Sequence, residues 1–210
     1  MVGGNMNLGK AIFLHSPDME QYSYPAECPF NTRRAALTRK TVYSMGLLSG
    51  DDRAEVTPVR AARAELELYH SARYLDTMQR AEKGDLDADG LAMGFGTPDC
   101  PIFRGMYDYA TLTAGASITG ARQILAGDAW IAFNPSGGLH HAGREKAAGF
   151  CYVNDIVLAC MTLAANGRRV VFLDLDVHHC DGVQEAFRAR RDVMTISLHE
   201  SGKTLFPGTG

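Results

Sequence analysis

The stretch VVFLDLDVHHCDGVQEAF, residues 170–187, decides the fold. Val170 to Leu173 form an apolar run of the kind found in a strand buried inside a parallel sheet. The run ends in a burst of acids and histidines: Asp174, Asp176 and His178 alternate, with His179 and Asp181 beside them. Residues two apart in an extended strand point to the same face. The spacing therefore predicts a carboxylate and an imidazole side by side at the carboxyl end of a strand, where ligands bind in open α/β sheets. Asp176-x-His178 offers one oxygen and one nitrogen donor, a set suited to zinc or a similar divalent ion. A carboxylate–histidine hydrogen bond without metal is the plainer alternative. The neighbouring ionisable groups tilt the choice toward a metal, because so many of them beside an apolar strand need partners.

Upstream lies a second histidine cluster, GGLHHAG at 137–143. Its glycines allow tight turns that bring His140 and His141 close to a reacting centre. Adjacent histidines suit a general base and a general acid acting on one water and one carbonyl. Each needs a carboxylate to fix its tautomer, and Asp174 and Asp181 are the natural candidates. Asp181 also opens a helical pattern, so it can cap that helix. Asp99 sits in a long Gly-, Asp- and Pro-rich loop, 84–101, either as a turn former or as an acid that holds substrate amides. Together the two clusters point to a metal-assisted hydrolase.

Around these clusters strands alternate with helices. Strands are expected at 10–14, 56–59, 129–133, 170–175 and 193–198. Helices are expected at 32–48, 61–78 with a break near His70-Ser71, 107–125, 152–165 with Asn166-Gly167 as its C-terminal cap, and 181–188. Such alternation predicts a parallel sheet with helices on both faces. The 210 residues suit one domain, 46% hydrophobic and 21% charged. A net charge of -3 gives no polyelectrolyte signal, so neither nucleic acid nor an acidic membrane surface is an expected partner. Five cysteines without a C-x-x-C read as reduced thiols. The apolar stretch 156–165 is half of the roughly 20 residues a membrane span needs. With no secretory leader in the sequence, a cytoplasmic location is expected.

With these residues in view, the chain resembles the histone deacetylase superfamily, which includes acetoin-utilisation deacetylases and acetylpolyamine amidohydrolases. The resemblance is carried by CPFNTRRAALTRKTVYSMGLL (28–48), LELYHSARYLD (66–76), DCPIFRGMYDYA (99–110), SGGLHHAGREKAAGFCYVNDIVLA (136–159), the opening stretch, and VMTISLHESGKTLFPGTG (193–210). It implies the arginase–deacetylase fold, a three-layer α/β/α sandwich around a mainly parallel sheet, and hydrolysis of an acetyl-lysine or acetylpolyamine amide by metal-activated water. By position, Asp176 and His178 match zinc ligands. His140 and His141 match the paired catalytic histidines, with Asp174 and Asp181 as their respective carboxylate partners. Asp99 matches the acid that holds substrate backbone, Gly149 and Phe150 the wall of an acyl-lysine tunnel, and Arg34 an arginine of an internal acetate channel. Potassium is implied at Asp174, Asp176, His178, Ser197 and Leu198, and at a second site that includes Phe187, Arg190 and Val193.

The departures are Cys28 for a usual histidine, Cys180 for a usual glycine and Pro98 for a frequent aromatic. The family's third zinc ligand, an aspartate, and its carbonyl-polarising tyrosine fall beyond residue 210. The expectation is thus the N-terminal portion of a single deacetylase domain over 1–210, a fold incomplete at the C-terminus, a truncated reading frame and no activity alone. The rival expectation is a catalytically dead remnant that binds acyl ligands or serves as an interaction module. Oligomeric state is left open by the sequence.

Overall fold

The computed structural model describes residues 10–210. The strands are β1 (Lys10–Leu14), β2 (Arg53–Val56), β3 (Ala129–Phe133), β4 (Val170–Asp174) and β5 (Val193–Ser197). The helices are α1 (Arg33–Ser44), α2 (Arg63–Leu66), α3 (Ala72–Glu82), α4 (Ala88–Ala92), α5 (Met106–Ala126), α6 (Asp155–Ala165) and α7 (Asp181–Phe187). All strand pairs are parallel. They form a three-stranded sheet in the order β2-β1-β3 and a separate pair β4-β5. In β4-β5 the register sets Asp174 opposite Ser197.

Helix α5 packs on one face of the three-stranded sheet, where a Cβ at Gly120 would lie 3.0 Å from the Ala132 methyl carbon. On the other face Val42, Leu47 and Leu48, on and just beyond α1, share a cavity with Ile131 and Phe133. The sheet is thus the middle of three layers. The main core gathers Tyr74, Leu75 and Met78 of α3, Met106, Tyr109 and Ile118 of α5, Val157 and Leu158 of α6, and Val183 and Phe187 of α7.

Several expected boundaries move for identifiable reasons. The first helix ends at Ser44, not Leu48, because the chain turns at Gly46 with φ +70°. The second strand lies at Arg53–Val56 rather than 56–59, drawn into register with Ala11–Leu14. The break near His70-Ser71 is present, with the Ser71 hydroxyl capping α3 by accepting from the Tyr74 amide. Helix α6 starts at Asp155, not 152, because Asn154 is its N-cap, and Gly167 follows its end at φ +75°. The 84–101 loop contains α4, capped by the Asp87 side chain. One correction touches the site: β4 stops at Asp174, so Asp176 and His178 stand in the loop after it rather than along the strand. Among the described residues no helix is long and apolar enough to cross a membrane.

Candidate active site

The loop after β4 folds back through two side-chain turns in series. Asp174 Oδ1 accepts from the Asp176 amide at 2.9 Å, and Asp176 Oδ1 accepts from the His178 amide at 2.7 Å. These turns, not strand alternation, bring Asp176 and His178 together. His178 Nδ1–H donates to Asp176 Oδ1 at 2.8 Å. The two donor atoms therefore converge on one point, and a cation there would replace the proton they share. Burial would raise the Asp176 carboxyl pKa, but the His178 amide and ring outweigh it and hold it below the ordinary carboxylate value. A lowered carboxylate and an imidazole fit a zinc ion as donor types. Among the described residues no group of three or more His, Cys, Asp or Glu side chains stands close enough to hold a metal, so these two are a partial set.

The 137–144 loop supplies the opposite side. His140 Nδ1–H donates to Asp174 Oδ2 at 2.7 Å, and His141 Nδ1–H donates to Asp181 Oδ1 at 2.7 Å. Both rings are buried and their centroids lie 4.0 Å apart. With each Nδ1 carrying the proton, each neutral ring keeps a free lone pair on Nε2. His140 Nε2 lies 3.9 Å from Asp176 Oδ1, so the base side of this imidazole faces the Asp176–His178 pair. Burial would raise Asp174 too, but the His140 ring and the Asp176 amide hold its carboxyl below the usual value. Asp181 is the first residue of α7 rather than its cap: Cys180 stands at the N-cap with no side-chain cap bond, and the Asp181 carboxylate orients His141 instead.

His140, His141, Asp176 and His178 line a cavity of ≈ 340 Å³ together with Asp99, Arg34, Gly149, Phe150 and Phe206. Gly149 has φ +52°, and a Cβ there would lie 2.4 Å from the His141 ring, so only glycine fits. Phe150 has φ +70°, a conformation rare for a bulky residue. Its carbonyl is tied by the Tyr24 hydroxyl at 2.7 Å and its ring stacks on Phe30 at 5.6 Å. Asp99 is exposed at the rim. Arg34 borders the same cavity with its guanidinium 4.5 Å above Phe30, but α1 buries no residue and Arg34 is exposed rather than enclosed in a channel.

Phe206 is the wall that sequence reading missed. Its ring stands 4.9 Å from His141 and 6.3 Å from His178. An aromatic in a Pro/Gly-rich loop was its only signal. Of the remaining expected residues, Ser197 and Leu198 reach the carboxyl end of β4-β5, where the Leu198 amide donates to the Asp174 carbonyl at 3.0 Å. The Ser197 hydroxyl is engaged with His199 Nδ1 at 2.8 Å. Phe187, Arg190 and Val193 sit together between α7 and β5, where the Phe187 carbonyl accepts from the Arg190 amide at 2.9 Å.

The sequence model of the family described as "Histone deacetylase domain" matches residues 28–210. The acetoin utilization protein AcuC of Bacillus subtilis is 40% identical over 202 residues, which cover 95% of this chain and 52% of that protein. Histone deacetylase 8 of Xenopus tropicalis is 42% identical over 180 residues, or 85% of this chain and 48% of that protein. Among solved structures, an HDAC homolog complexed with SAHA superposes with a TM-score of 0.85 at 32% identity, covering 94% of this chain and 53% of that one. An HDAC homolog from Aquifex aeolicus gives 0.84 at the same identity. The chain spans about half the length of the curated relatives it matches.

Proposed function

The chain belongs to the histone deacetylase family, and we propose that it supplies the acid–base half of a zinc-dependent site hydrolysing an acetyl-amide, on acetyl-lysine or an acetylated polyamine. The observation that carries this reading is the two histidine–carboxylate pairs at 2.7 Å, set against Asp176 and His178 in one cavity. Zinc held by Asp176 and His178, with a further ligand, would supply Lewis acidity and lower the pKa of bound water.

The chain's own residues do the rest. Asp174 and Asp181 hold the two rings with Nε2 free, so His140 and His141 can take a proton from water and return one to the leaving amine. Phe150 and Phe206 enclose the aliphatic part of the substrate and keep bulk water out. Asp99, at the rim, accepts from substrate amides. Potassium at Asp174, Asp176, His178, Ser197 and Leu198, and at Phe187, Arg190 and Val193, would tie the loop after β4 to β5 and α7. We also propose that residues 1–210 do not turn over alone, because among the described residues only two zinc donors come together. A second reading, an acyl-ligand module without turnover, is favoured by that same shortage among the described residues.

The test is acetate release from acetyl-lysine peptides and acetylpolyamines with zinc supplied. Residues 1–210 are assayed alone and joined to the C-terminal half of the Bacillus subtilis relative. Release by the joined chain only is expected. A folded, zinc-loaded joined chain that binds substrate and releases nothing would favour the second reading. Robust release by residues 1–210 alone would contradict the shortage argument.

A further inference from the structure

We propose that Asn154 and Asp155, backed by His70, are positioning residues: they grip the 137–144 loop and so fix where His140 and His141 stand. The proposal rests on the reading of those histidines as acid–base groups.

Asn154 has two jobs on its two side-chain atoms. Its Oδ1 accepts from the Val157 amide at 3.1 Å and caps α6. Its Nδ2 plays no part in the cap. It donates instead to the carbonyls of Ala142, at 2.9 Å, and His140, at 3.3 Å. Those carbonyls flank His141 on both sides. A serine or aspartate would cap the helix as well, but neither could make these two donations.

Asp155 grips the loop one step earlier. Its carboxylate is buried and accepts from the Leu139 amide at 2.8 Å, the Gly138 amide at 3.2 Å and the Ser117 hydroxyl. A buried carboxylate is costly unless its oxygens are bonded, and here two of the donors are the backbone immediately before His140. The approach is close: a Cβ at Gly137 would lie 2.4 Å from Asp155 Oδ2.

His70 closes the far end. Its ring is fully buried, and Nε2 accepts from the Asn154 amide at 3.1 Å. The proton therefore sits on Nδ1, which donates to the Arg144 carbonyl at 3.3 Å. The loop is thus held at Gly138 and Leu139, at His140 and Ala142, and at Arg144. All three holds converge on the start of α6, whose body lies in the main core. General-base catalysis depends on placement, and an error of 1 Å can cost about 10²-fold in rate.

Two measurements on residues 1–210 test this without any turnover, so their failure is separable from failure of the deacetylase reading. The first uses the unaltered chain. The Gly138 and Leu139 amides should exchange with deuterium as slowly as the Val157 amide of α6, because all three open together. Exchange at the rate of a free loop would overturn the proposal. The second is Asn154→Ser, which keeps the cap and deletes the two donations. The Nδ1–H proton resonances of His140 and His141 should shift or broaden while the melting temperature stays within a few degrees. Unchanged histidine resonances in a folded Asn154→Ser chain would overturn the positioning role. Failure of that variant to fold would overturn it too, by making Asn154 a folding residue.

Discussion

The corner where the 137–144 and 174–181 loops meet and the outer face of β4 are a few residues apart in sequence, yet they are finished to different degrees. In the corner the polar groups have partners: His140 with Asp174, His141 with Asp181, His178 with Asp176, and Asp155 with the loop backbone. On the strand and just past it, Val171, Leu173, Leu175 and Val177 are 53–69% exposed. Met194 and Leu198 of the neighbouring stretch, and Ile131 of β3, are equally bare. Parallel sheets elsewhere are covered on both faces. The corner is wired by contacts within residues 10–210; the cover for the sheet is not supplied by them. Local polar pairing can therefore be complete where long-range packing is not.

Disrupting the corner carries the heaviest cost. In the joined chain, His141→Ala should lower turnover roughly 10²–10⁴-fold, the usual contribution of a positioned acid–base group, with the circular dichroism spectrum unchanged. Near-normal turnover would mean that the paired geometry does not serve proton transfer.

A smaller effect concerns acid. Burial drives the His70 pKa down from 6.5 to about 4. Between those values the unfolded chain takes up a proton that the folded chain refuses, so the unfolded state gains as pH falls. Stability is full above pH 6.5 and declines toward pH 4, by on the order of 3 kcal/mol at about 1.4 kcal/mol per pH unit. Asp174 and Asp176, both held below their ordinary values, extend the loss at lower pH. Urea titrations at pH 7 and pH 4.5 measure it, and His70→Gln should flatten the dependence. A flat profile in the unaltered chain would show that the corner is less tightly buried than its hydrogen bonds suggest.

The smallest energetic effect belongs to the bare face. Leu173→Thr with Leu175→Thr should change stability by no more than about 0.5 kcal/mol, since neither side chain is buried. The pair should nonetheless reduce binding of an apolar dye and slow aggregation, because it shrinks an exposed apolar patch beside strand edges. A loss of several kcal/mol would show that this face is already packed in solution.

The same contrast explains what the sequence made legible. Strands β1 and β3 were readable to the residue because apolar runs end there in turn-forming residues. The histidine and aspartate clusters were readable because their chemistry is compressed into short loops. Strand β2 was misplaced because its bounds come from register with β1, a contact no local window contains. Phe206 was missed because it meets Phe150's cavity only through a loop that folds back from the far side of β5. Asn154 and Asp155 read as helix in the sequence, since nothing local reveals that a cap residue has a second pair of partners 12 and 14 residues upstream. Spacing put Asp176 and His178 together, but through strand alternation. The structure joins them through two successive side-chain turns instead.

The proposed role of Asp176 and His178 as zinc donors beside the paired histidines is open to direct measurement. Residues 1–210 are dialysed to equilibrium with zinc and their metal content is analysed. One equivalent per chain is expected, weakly held because the described residues bring only two donors together, stripped readily by a chelator and lost in Asp176→Ala and in His178→Ala. Zinc that remains stoichiometric and tightly bound after both residues are replaced would contradict that role.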